Sequence, residues 1–477
     1  MSLTDIARSL PRWTEIREGA SGEGAPQVIA GAVGALPGIL IAALQQDLRG
    51  PIAVVVPDEK LAQEVIGDLR AAGLAKVFHA PAPALTPYQR IPPSLKSRRD
   101  EFSLLAALRQ PEALEACVLP ARSLFTRLPS PADLARLTIT LREGEEVSLP
   151  RLTARLTEIG YRRSDLVVET GDLAVRGGLF DVFPPDRDLP ARIELDGDRI
   201  ASIRVFDPDT QRSRERLTAL TIAPFAASEE SETARDLLAE RMGRLPSEAE
   251  RSIFAPAVES MPASWLDHAR GAMLVVIEPA AVESEIAGFA ERLAADRDPD
   301  RDPFTPEELM HPPESIGRAL ETARLRFDRV GLSSETPVRI PAEAIPGHAG
   351  RTAEAAAEIS RVLESGEEVF VAVHPMGGPE KLRRFALEYE LHVSSERRPG
   401  VLISVPAEIS AGFRLREPRI ALYAESEIFG EEKRSAAARR RPSEAFLSDL
   451  RDLKLGDAVV HRDYGIGLYR GKYRVPV

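Results

Sequence analysis

The sequence predicts a multidomain α/β protein, and three observations carry that expectation. The chain has 477 residues, more than a single domain of about 150 residues holds. Its first part alternates short apolar runs with amphipathic stretches, as the strands and helices of a parallel sheet do. A middle stretch then switches to a two-residue alternation with hairpin signals, which reads as a β-rich module. With 43% hydrophobic and 29% charged residues, the chain can build sizeable cores and is not disordered by composition.

Residues 1–125 open the α/β pattern. Gln27 to Ala35 reads as a short strand and turn, Ile39 to Leu48 as a helix, and Ile52 to Val56 as a buried strand. From Asp58 to Ala72, the apolar Leu61, Val65, Ile66 and Leu69 recur three or four residues apart, on one helix face. Pro81, Pro83, Pro87, Pro92 and Pro93 impose loop or extended chain. Cys117 to Pro120 gives another short strand. Residues 126–215 form the β-rich module. A helix from Leu149 to Ile159 leads into the alternating stretches Leu179 to Phe183 and Ile193 to Leu195. Asp196-Gly197 is a hairpin signal, and Asp207-Pro208-Asp209 marks a turn.

Residues 216–335 return to helices, with a strand at Leu274 to Ile277 and a polar, proline-broken loop at Asp296 to Pro303. Residues 336–425 read as a small α/β domain. It has helices at Ala353 to Leu363 and Pro379 to Glu390, and strands at Glu368 to Val373, Val401 to Val405 and Arg419 to Tyr423. Residues 426–450, with Lys433, Arg434, Arg439, Arg440 and Arg441, read as a basic linker. Residues 451–477 look like the opening strands of a small β-barrel. A barrel ending at Val477 would be incomplete and leave unpaired edges.

Composition excludes several classes. Lys plus Arg is 62 and Asp plus Glu is 74, a net charge of −12. A uniformly basic nucleic-acid coat is therefore excluded, and any such contact needs a local patch. One cysteine, Cys117, can form neither an intrachain disulfide nor a cysteine-rich zinc site. It sits in an apolar run and reads as core. No apolar run approaches the ~18 residues of a membrane span, and the first twenty residues have no signal-peptide pattern. A cytoplasmic protein without membrane contact is expected.

Catalytic motifs are also missing. A nucleotide-binding phosphate loop needs GxxxxGK[ST], whose lysine neutralises the β/γ oxygens. The corresponding stretch, Gly31 to Leu44, has Gly31, Gly34 and Gly38 but offers only Pro37, Gly38 or Ile39 at the lysine position. A degenerate turn that packs a helix on a sheet is expected, with no bound cofactor. The seven histidines form no HExxH or other i, i+4 pair, so no metal site is expected. The turn from His374 to Pro379 (HPMGGP) could cradle an anion at a helix N-terminus or be plain turn chemistry.

What remains points to binding. The module holds Arg162, Arg163, Arg176, Arg187, Arg192, Arg199 and Arg204 on strand-like stretches. Arg176 and Arg192 are expected on neighbouring strands. Glu194, two residues after Arg192, shares its face. Two guanidinium forks and a carboxylate on one face would make a charged docking surface. A solvated face with ordinary ion pairs, each worth about 0–1 kcal/mol, is the alternative from residue types alone.

At these residues the chain resembles the N-terminal half of the bacterial transcription-repair coupling factors. The resemblance rests on Val175 to Pro185 (VRGGLFDVFPP), Ala191 to Ser213 (ARIELDGDRIASIRVFDPDTQRS) and Leu455 to Gly471 (LGDAVVHRDYGIGLYRG), in that order. It implies a multidomain α/β architecture. A degenerate P-loop-NTPase-like lobe, built from 1–125 and 216–335, would carry the β-rich module as an insertion. The small α/β domain, the linker and a truncated, RNA-polymerase-interacting β-barrel would follow.

It implies a non-catalytic adaptor that recruits excinuclease A to stalled RNA polymerase through Arg176, Arg192 and Glu194. Contact with the polymerase β subunit would be weak or lost, and DNA contact is not expected without the family's motor. Relatives often carry an aromatic residue four positions after the second arginine; here it is Asp196. An ATP-dependent translocase like the full-length family, or a truncated product without a role, stands as the alternative. Removing both Arg176 and Arg192 is expected to abolish capture of excinuclease A at nearly unchanged thermal stability.

Overall fold

The computed structural model describes residues 2–22, 25–227, 232–329, 337–348, 350–430 and two short strands, Ala458–His461 and Gly465–Leu468. The chain divides into two units, Met1–Gly430 and Glu431–Val477.

The first unit is built on a seven-stranded sheet in which all neighbours run parallel. From one edge its strands are Val338–Arg339, Gln27–Ala30, Leu325–Asp328, Met273–Ile277, Ile52–Val56, Ala116–Pro120 and Val77–His79. Segments before and after the β-rich stretch thus interleave in one sheet. Parallel sheets need both faces covered, and every residue of Ile52–Val56 is buried. Side chains alternate between two cores. Ile52, Val54 and Val56 pack with Leu36, Ile39, Leu40, Val65 and Leu69 from the helices Leu36–Leu48 and Glu59–Ala71. Ala53 and Val55 join Phe102 and Leu105 of the helix Leu95–Leu108 and Val282 and Ile286 of the helix Pro279–Asp296. Asp58 caps its helix by accepting from the Leu61 amide at 2.8 Å.

The β-rich stretch makes a six-stranded sheet, in order Ser213–Leu217, Arg199–Phe206, Ala191–Asp196, Leu179–Val182, Asp172–Arg176 and Arg162–Arg163. All its pairs are antiparallel except the last. A separate antiparallel pair, Ile139–Arg142 with Ala219–Ile222, ties its entry to its exit. Leu173, Phe180, Val182, Ile193 and Ile203 point inward and share one apolar cluster with Phe102, Leu105 and Phe225. Asp196-Gly197 makes the expected hairpin, with Gly197 at φ +62°.

A second six-stranded sheet contains Ala342–Ala344, Phe413–Leu415, Ile420–Ala424, Glu368–Val373, Leu402–Pro406 and Val393–Ser394, in that order. Glu368–Val373 is parallel to both its neighbours, and the helices Thr352–Glu364 and Gly378–Glu388 pack on it. Phe370, Ile403, Phe413 and Leu422 of this sheet belong to the same apolar cluster as Leu36 and Leu40. After Ile420–Ala424 the chain continues as the helix Glu425–Phe429. Most of the expected linker, 431–450, lies outside the described residues.

In the second unit, Ala458–His461 and Gly465–Leu468 form an antiparallel pair, with Ala458 opposite Leu468 and His461 opposite Gly465. The rest of the expected barrel falls outside the described residues. No described helix is long and apolar enough to cross a membrane.

Candidate functional site

The register of the first six-stranded sheet decides where the charged groups stand. Arg176 pairs with Leu179, Leu179 with Glu194, and Glu194 with Ser202, one continuous row across four strands. Ala174, Asp181, Arg192 and Arg204 make the next row. Residues two apart share a face, so Arg176, Arg192 and Glu194 all project outward. The intervening Phe180, Ile193 and Ile203 are buried. Two sequence expectations need correction. Arg176 and Arg192 do not lie on neighbouring strands, because Leu179–Val182 runs between them. Arg187 lies on no strand; it sits in the connection between Leu179–Val182 and Ala191–Asp196.

The three groups are held differently. Arg192 is clamped. Its Nε and Nη2 donate to the two Asp181 oxygens at 2.8 Å each, and Nη2 also donates to Gln211 Oε1 at 3.0 Å. Its guanidinium lies 4.4 Å from the centre of the Phe206 ring, a favourable cation–π position. Phe206 belongs to a small outer cluster with Val167, Ala174 and Phe183. The Arg192 side chain keeps only 17% exposure, and Asp181 5%. Arg176 is exposed, and its Nε donates to the Asp165 carbonyl at 3.0 Å. Nη2 donates to the same oxygen. Among the described residues no carboxylate is bonded to it, so donors on its fork remain available. Glu194 accepts from Ser202 Oγ at 2.6 Å and faces Arg204 Nη2 at 3.7 Å, with its side chain 38% exposed.

Sequence reasoning missed the supports, Asp181, Gln211, Phe206 and Ser202, and an aliphatic element. Leu179 stands between Arg176 and Glu194 in their row and is 37% exposed. Leu166 and Val168 are exposed on the loop whose Asp165 carbonyl holds Arg176. The period-two alternation puts Leu179 on the same face as Asp181, but only pairing shows which charges flank it. Asp196 is exposed at the hairpin.

The two glycine turns are filled by the chain itself. A Cβ at Gly31 would meet the Ile340 carbonyl oxygen at 2.4 Å, one at Gly34 the Gly412 carbonyl oxygen at 2.4 Å, and one at Gly38 the Asp68 Cβ at 2.6 Å. At HPMGGP, the His374 amide donates to Glu425 Oε2 at 2.8 Å. Lys381 Nζ lies 3.2 Å from the other oxygen of that carboxylate. A side-chain carboxylate therefore sits where an anion was considered. Cys117 is fully buried, and burial pushes its thiol up to about 12, so it is core and not a nucleophile.

Comparison with known proteins places these features in a class. Residues 139–227 match the family described as the UvrB interaction domain. That span contains the whole six-stranded sheet and the pair that ties its ends. Along nearly its whole length the chain is similar to transcription-repair-coupling factors. It is 28% identical to the one from Myxococcus xanthus over 94% of this chain, and 25% identical to the one from Escherichia coli over 94%. It spans 42% of the length of each of these relatives. It is also 28% identical to UvrABC system protein B of Legionella pneumophila, over 42% of this chain and 32% of that protein.

Proposed function

We propose that this chain acts in transcription-coupled nucleotide-excision repair as a docking adaptor for excinuclease A, and turns over no substrate itself. The observation that carries the reading is a coincidence of two kinds of finding. The match to the UvrB interaction domain falls on the residues of one sheet, and Arg176, Arg192 and Glu194 share that sheet's outward face. Arg192, whose fork is taken up by Asp181 and Gln211, contributes a fixed positive charge and at most one further Nη1 donor rather than a free fork. Arg176 offers the free donors for a partner carboxylate or carbonyl. Glu194 takes a partner cation, and Leu179 supplies apolar contact between Arg176 and Glu194. RNA polymerase, the second partner, is assigned to the segment around Ala458–Leu468 and plays no part in this contact.

Capture of purified excinuclease A by the whole chain tests the reading. Arg176→Ala should weaken the affinity at least about tenfold, about 1.4 kcal/mol, with the melting temperature unmoved. Undiminished capture would reject the assigned face.

A further inference from the structure

The turn from Gly31 to Ala35 lies at the carboxyl end of the strand Gln27–Ala30 and opens the helix Leu36–Leu48. In open α/β sheets that is where ligands bind, and amides at such a helix start receive phosphate oxygens. Here the place is taken. The Ala35 amide donates to the Ala411 carbonyl at 2.9 Å. Gly34, at φ +57°, lies so close to the Ala411 and Gly412 carbonyls that a side chain has no room.

The loop that supplies these carbonyls is fastened from both sides. The Ser410 amide donates to Asp68 Oδ1 at 2.7 Å, and Ser410 Oγ to Asp68 Oδ2 at 2.7 Å. The Gly412 amide donates to Glu427 Oε1 at 2.7 Å. Asp68 is 2% exposed and lies on the helix Glu59–Ala71. Ala407, Ile409 and Phe413, which flank the loop, are buried in the cluster that holds Leu36, Ile39 and Leu40.

We propose that Ser410–Gly412 is an internal ligand: its backbone occupies the turn in place of a nucleotide's phosphates and fastens the second sheet to the first. A carbonyl satisfies the helix-start amide with a partial charge only. No lysine is then needed, which accounts for Pro37, Gly38 and Ile39 where a phosphate loop requires a cation. The role gives the small α/β part a function, to hold the lobe in one state without nucleotide. It does not depend on the docking reading above.

Hydrogen exchange of the whole chain, read by mass spectrometry, tests this. Gly34→Ala drives a methyl group against the Gly412 carbonyl. It should speed exchange about tenfold or more both in the first turn of Leu36–Leu48 and in 405–413, with 172–206 unchanged. Ser410→Ala, which removes only a hydroxyl, should loosen the same two segments to a smaller extent and serves if Gly34→Ala does not fold. Magnesium-ATP should leave the wild-type pattern unaltered. The inference is overturned if a variant loosens one segment without the other, if neither segment responds in a folded variant, or if ATP protects the turn.

Discussion

Arg192 supports the module as well as the proposed contact. Its removal would strand Asp181, a carboxylate with 5% side-chain exposure, and an unpaired, largely buried charge is costly. Arg192→Ala should therefore lower stability by roughly 1–3 kcal/mol, seen as a lower denaturation midpoint, whereas Arg176→Ala should change it by less than about 0.5 kcal/mol. This revises the expectation that both arginines could be removed at nearly unchanged thermal stability, and it makes Arg176 the informative position. Asp68 gives a second test at this scale. Burial, opposed by the Ser410 hydrogen bonds and reinforced by Glu64, pushes its carboxyl up to about 7. The folded chain then binds an extra proton between the ordinary carboxylate range and about pH 7. The Asp68 contribution is most favourable below that window and declines as pH rises through it. In Asp68→Asn, the loss of stability between pH 5 and pH 8 should be smaller than in the wild type; equal slopes in urea titrations would contradict the assignment. Glu250 behaves oppositely. Hydrogen bonding from Arg244 pulls it down to about 2, so its contribution is present above the ordinary glutamate range and disappears as pH falls toward 2. Glu250→Gln should flatten acid destabilisation in that range.

At the scale of elements, the long, strongly patterned segments were legible. Ile52–Val56 and Glu368–Val373 appear with the expected bounds, and the Asp58 to Ala72 helix within a residue at each end. Their apolar period exceeds any competing signal. Asp196-Gly197 was legible for a different reason, since its turn demands a left-handed residue. Gly197 sits at φ +62° with open space around a Cβ, so Gly197→Ala should cost about 1–2 kcal/mol from backbone strain alone, measurable by urea denaturation. Two short strands were not legible, unlike Gln27–Ala30 and Ala116–Pro120, which were read from their apolar runs. Leu325–Asp328 and Val338–Arg339 are too brief to show a period and owe their state to parallel partners far away in sequence. The candidate site was half readable for the same reason. Spacing put Arg192 and Glu194 on one face, but strand order is a property of the folded sheet, so the alternating stretch at Leu179 was read while its place between the strands of Arg176 and Arg192 was missed. The clamp by Asp181, Gln211 and Phe206 likewise depends on three separate segments meeting.

At the scale of the molecule, the inner side of the β-rich sheet and the seven-stranded parallel sheet share one apolar cluster, while the parallel sheet and the second six-stranded sheet share another. The outward face of the β-rich sheet is thus mounted on a continuous core, which keeps its charged groups in fixed places. The filled glycine turn contributes to the same rigidity. A complex held by guanidinium and carboxylate groups should also weaken with salt. The most direct measurement is a hydrogen-exchange footprint of the whole chain with and without purified excinuclease A. The account predicts slowed exchange in 164–182 and 191–204, with 36–44 and 405–413 unaffected. Binding that leaves those strands unprotected, or that protects another surface instead, would contradict it.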